Sequence, residues 1–137
     1  MERRDFIRGG IVVAASTGVL ACNNTQVAVT NESSSDSQII HSVYFWLKEG
    51  LTEAEQSDFT NFFEMLRKVP SVQTLKYGKP APSHPRPVVD NSFSYNLIVT
   101  FSDIEGLNAY EIDPGHLAGI EKYQHYWTKV EVRDTQL

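Results

Sequence analysis

The sequence predicts an α+β domain with the element order β-α-β-β-α-β. Three observations carry this prediction. The hydrophobic period switches between two and about 3.6 along residues 39–137. Two Ser/Thr-x-x-Glu signatures stand where the period lengthens. Proline-bearing breaks separate the periodic segments.

"IIHSVYFWL" (residues 39–47) is β-branched and aromatic, and reads as the first strand. Alternation puts His41, Val43, Phe45 and Leu47 on one face and Ile40, Ser42, Tyr44 and Trp46 on the other. In "LTEAEQSDFTNFFEMLRKV" the period lengthens, and Phe59, Phe62, Phe63, Leu66 and Val69 make one helical stripe. Thr52 and Glu55 form a capping box at its start, and Pro70 is expected to end it. "SVQTLKYGK" reads as a second strand. The four prolines of residues 80–87 then impose a stiff loop with few backbone donors. A lid over a pocket mouth and a plain spacer both fit that loop.

"FSYNLIVTF" (residues 93–101) is the clearest strand, with Phe93, Tyr95, Leu97, Val99 and Phe101 alternating onto one face. Ser102 and Glu105 suggest a second capping box, opening a helix that carries Ile104, Leu107 and Tyr110. Asp113-Pro114 interrupts it, because a residue before proline is pushed out of the helical region. A short helical piece from His116 to about Tyr123 and a last strand, "WTKVEVRD", complete the chain. The order is the ferredoxin-like, split βαβ pattern. Its helices can cover only one face of a four-stranded sheet. Tyr44 and Trp46 on the other face point to sheet-to-sheet pairing of two copies, a homodimer.

Size and charge narrow the function. The 137 residues suit one domain with a tail, and 41% hydrophobic and 11% aromatic content supports a packed core. A formal charge of −5 without any basic run argues against nucleic acid as partner. Cys22 is the one cysteine, so no disulfide forms within the chain. No Cys/His set has zinc spacing, no glycine-rich phosphate loop occurs, and no haem ligand set presents itself.

Residues 1–21 read as an export signal. Arg3, Arg4 and Arg8 precede an apolar run, residues 11–20, that is shorter than the roughly 20 residues of a membrane span. "RRDFIR" resembles the twin-arginine export motif, with Glu2 where Ser or Thr is common. "VLAC" resembles a bacterial lipobox in which Cys22 would carry a thioether-linked diacylglycerol, although Leu20 is bulky for that position. The polar remainder of residues 22–38 reads as a tether. Together these features predict an exported, envelope-facing protein held to a membrane by its lipid.

"IIHSVYFWLKEGLTEAE", "VPSVQTLKYGK", "FSYNLIVTFSDIEGLNAY" and "DPGHLAGIE" as a set resemble the stress-responsive A/B barrel (Dabb) family, over nearly all of residues 39–137. The resemblance implies a dimeric α+β barrel of two ferredoxin-like protomers. It also implies a cofactor-free site, because a plant polyketide cyclase of the family works with two histidines and a tyrosine. The matching positions are His41, Tyr110 and His116. A further histidine that the cyclase carries before its proline is Asp113 here.

Each position has two readings. His116 is either a general acid or base or a ring bonded to a backbone carbonyl at a helix start. His41 points toward the helix-covered side, as a site residue or as a hydrogen-bonded core histidine. Asp113 reads first as a turn residue, and His84 and His125 as solvated. The chain is expected to bind a small apolar or aromatic ligand between sheet and helices. The alternative is a cofactor-independent cyclase-, lyase- or isomerase-like enzyme using His116, Tyr110 and His41.

Overall fold

A computed structural model describes residues 37–137; the predicted signal, Cys22 and most of the tether lie outside the described residues. Four strands, Ile39–Leu47 (β1), Thr74–Gly78 (β2), Tyr95–Phe101 (β3) and Trp127–Gln136 (β4), form one antiparallel sheet in the order β2-β3-β1-β4. Helices Glu53–Leu66 (α1), Ile104–Glu111 (α2) and Pro114–Tyr123 (α3) pack on one face, and a 3₁₀ turn, Gln124–Tyr126, leads into β4. This is the ferredoxin-like α+β fold expected from the sequence. Among the described residues no helix is long and apolar enough to cross a membrane.

The alternation read in β1 holds. Ile39, His41, Val43 and Phe45 are buried, whereas Ile40, Ser42, Tyr44 and Trp46 are only partly covered. Beneath α1, Phe45 meets Phe59, Phe62 and Phe63 at ring-centroid distances of 5.5, 6.0 and 5.6 Å. Each such buried ring contributes roughly 1.5–3 kcal/mol of hydrophobic stabilisation. The whole predicted stripe is buried, down to Val69. Thr52 and Glu55 make the expected reciprocal cap, Glu55 N–H donating to Thr52 Oγ1 at 3.2 Å and Thr52 N–H to Glu55 Oε2 at 2.7 Å. The helix closes before Pro70: Lys68 and Val69 donate to the carbonyls of Met65 and Leu66 in tightened turns, which keeps Val69 in the core.

The second cap departs from the sequence reading. Asp103, not Ser102, caps α2, its Oδ1 accepting from Gly106 N–H at 2.8 Å. The strand ends at Phe101 as expected, but the helix begins only at Ile104, so the extended cap position falls on the Asp103 carboxylate. Asp113 acts as the turn residue, capping α3 through Gly115 N–H at 2.7 Å with Pro114 in the first helical position. Gly119 lets α3 approach α1 closely, because a Cβ there would stand 2.9 Å from a Phe62 ring carbon.

Candidate functional site

β1 lies between β3 and β4, so its inner face carries His41 into the middle of the covered side. The helices leave β4 partly uncovered: Val130 and Val132, opposite Phe45 and Val43, keep 38% and 48% of their surface exposed. That gap is a cavity of about 540 Å³. Phe62 and Leu66 of α1, Ile120 of α3 and Trp127 are among its apolar walls, and its polar groups are His41, Tyr110, Glu111, His116 and Asp134. All three sequence-predicted site residues therefore face one space.

Each reaches it for a local reason. Tyr110 sits at the inner end of α2, and the Asp113-Pro114 break turns the chain so that α3 starts by bringing His116 back over the tyrosine. The Tyr110 ring lies 4.3 Å from the His116 ring and 5.7 Å from the His41 ring, centroid to centroid. Tyr110 is almost fully buried, and that burial pushes its phenol well above the ordinary tyrosine value. The hydroxyl therefore keeps its proton and serves as a hydrogen-bond donor.

His116 Nδ1 lies 3.2 Å from the carbonyl oxygen of Glu111. A carbonyl can only accept, so Nδ1 carries the proton and Nε2 keeps its lone pair. The backbone bond anticipated as the plain reading of His116 thus also fixes the tautomer a general base needs. Burial is the main influence lowering this imidazole's pKa below 6.5; the Glu111 carbonyl opposes it, and His41 adds to the lowering.

His41 is 7% exposed, and its Nδ1–H donates to Asp134 Oδ1 at 2.6 Å across the β1–β4 ladder. The Asp134 side chain is 43% exposed, so the pair orients the ring more than it stabilises the fold. Among the described residues no group of three or more His, Cys, Asp or Glu side chains is placed to hold a metal ion.

Residues 39–137 match the model of the Stress responsive A/B Barrel Domain, Dabb. The chain belongs to this family. It is similar to olivetolic acid cyclase from Cannabis sativa, 22% identical over 95 residues, which are 69% of this chain and 91% of the cyclase. Among solved structures, a hydroxynitrile lyase from Passiflora edulis superposes with a TM-score of 0.61 at 16% identity, covering 74% of this chain and 94% of the lyase. A dimeric ferredoxin-like protein from Thermobifida fusca does so with a TM-score of 0.59 at 14% identity, covering 74% and 92%. At these identities the two structures share the fold alone.

Two polar groups of this Dabb site, Asp134 and Glu111, escaped the sequence reading. Asp134 shares an alternating face with Val130 and Val132, a signal present in "VEVRD", but its pairing with His41 depends on the β4 register. The proline loop is not a lid on this cavity. Its end lies against the opposite sheet face, where Ser92 Oγ accepts from Trp46 Nε1 at 3.0 Å; Phe93, expected on the inner face with Tyr95, instead precedes β3 and packs on Tyr44 at 5.1 Å. His84 and His125 are exposed, as expected.

Proposed function

We propose that the chain binds a small apolar or aromatic ligand in this cavity and moves a proton on it without a cofactor. One observation carries the proposal: a tautomer-fixed His116 and a protonated Tyr110 lie ring to ring in an apolar cavity. His116 Nε2 takes the proton from a C–H beside a carbonyl of the ligand, and the electron pair of that bond moves through the new C=C bond onto the carbonyl oxygen. Tyr110 donates a hydrogen bond to that oxygen, and the proton returns from His116 to the product. His41, oriented by Asp134, completes the polar end.

A module that holds its ligand unreacted is the second reading, favoured by the mainly apolar walls. The discriminating experiment follows deuterium uptake from D₂O into the acidic C–H of an aryl ketone, alongside ligand affinity. Exchange above background that His116→Ala abolishes, with affinity kept, supports proton transfer. Binding with no exchange leaves the module.

The assembled protein is proposed to be a homodimer paired through the sheet face away from the helices, which the proline loop covers only in part. There Tyr44, Trp46 and a 40%-exposed Ile98 share a surface. Lys129 and Arg133 lie only 4.1 and 5.7 Å from the Trp46 and Tyr44 ring centres. The dimeric Thermobifida relative has the same fold. Sedimentation at micromolar concentration should show twice the chain mass; a lone monomer counts against the pairing.

The lipid anchor at Cys22 and export through residues 1–21 belong to the same proposal, supported by "RRDFIR" and "VLAC". Two or more acyl chains, at about 0.8 kcal/mol per buried CH₂, hold a protein stably. The Cys22→Ala protein should leave the membrane fraction; if it stays, the anchor lies elsewhere.

A further inference from the structure

The charge on the cavity wall bears on what enters it. Five polar residues line the space, and two of them are acidic: Asp134, whose carboxylate holds His41, and the exposed Glu111, whose charge reaches the His116 ring. No lysine or arginine lines it. The cations of β4 are turned away: Lys129 and Arg133 lie over Trp46 and Tyr44 on the opposite sheet face, both paired with Glu131. Alternation along β4 enforces this separation, sending Val130, Val132 and Asp134 inward and Lys129, Glu131 and Arg133 outward.

We infer that this cavity selects uncharged or cationic ligands and rejects anionic ones of the same shape. The inference rests on the ligand-binding reading above and adds the charge class. A carboxylate, sulfonate or phosphate entering the space loses its hydration, meets no compensating cation, and is repelled by Asp134 and Glu111. A neutral aryl compound carrying a hydroxyl or carbonyl loses only a modest polar hydration, which His116 Nε2 and the Tyr110 hydroxyl replace. An arylalkyl ammonium pays the same kind of desolvation as the anion but is attracted by both carboxylates. Cation against anion is therefore the sharp comparison, because it isolates the sign of the field from the general penalty on charge.

The test uses the full chain and three probes of one skeleton: para-pentylphenol, para-pentylbenzylammonium and para-pentylbenzoate, near neutral pH. Binding is followed by calorimetry and by the fluorescence of Trp127 in the cavity wall. The ammonium probe should bind at least about tenfold more tightly than the benzoate at low salt. That ratio should fall toward one in Glu111→Gln/Asp134→Asn, while the phenol's affinity changes little. Should the double variant fail to fold, Glu111→Gln alone must narrow the ratio. Equal binding of cation and anion by the unaltered protein overturns the charge selectivity and leaves the ligand-binding reading standing. Tighter binding of the benzoate overturns it as well. Failure of all three probes overturns the ligand-binding reading and this inference with it.

Discussion

Replacing Phe59 by alanine should cost about 3–5 kcal/mol of stability, the range for truncating a buried aromatic side chain. Phe59 has no exposed surface, and its ring centre lies 5.0 Å from Phe63, 5.5 Å from Phe45, 5.6 Å from Tyr95 and 6.0 Å from Trp127. It therefore ties α1 to β1, β3 and the start of β4. The cavity left behind cannot close by one rotamer change, because its neighbours are rings already held against one another. Domains of this size are stable by about 5–15 kcal/mol, so the variant should sit near the threshold of unfolding. Urea denaturation should show a lower midpoint with an unchanged slope. A loss below about 1 kcal/mol would mean that the aromatic cluster repacks as a fluid. Phe59→Leu keeps more of the volume and should lose distinctly less.

The same cluster shows why the fold was legible. Aromatic and aliphatic residues at helical spacing in α1, and at every second position in β1 and β3, mark the inner faces whatever the partners are. Burial follows from period alone. Cap choice was legible at Thr52, where one box competes with nothing, and misplaced at Ser102, where an adjacent Asp103 offers an equally good acceptor.

Pairing between distant segments was not legible. Nothing in "VEVRD" states which β1 residue Asp134 will face, since sliding β4 by one residue would turn its carboxylate to the other side of the sheet. The proline loop was ambiguous for a related reason. Prolines dictate stiffness and not destination, and contacts of Phe93 and Ser92 with Tyr44 and Trp46 place it on the sheet face away from the histidines. Tyr110 and His116, by contrast, lie close together in sequence across a proline break, and local geometry was enough to bring them together.

Loss of the His116 imidazole should lower the rate of proton transfer by about 10²–10⁴-fold, the contribution of a positioned general base. The pH profile ties that loss to this side chain. Burial lowers the pKa of His116, so the lone pair on Nε2 remains available below pH 6.5, where a solvated imidazole would already be largely protonated. The acid limb of kcat/KM should therefore bend at a pH below 6.5, and His116→Ala should remove it from whatever rate survives. Stability moves with the same proton. The unfolded chain binds it more readily than the folded one, so this contribution is fully present above pH 6.5 and erodes as pH falls through the lowered folded value. Substituting His116 should flatten that part of the stability profile, which a purely structural effect of the substitution would not do. Tyr110→Phe separates the two roles at the site. It removes the donor to the developing oxyanion while leaving the Glu111 carbonyl bond to His116, so the rate should fall while the acid limb is kept. An acid limb that persists in His116→Ala would assign the base to another group in the cavity, with His41 on its Asp134 partner the first to test.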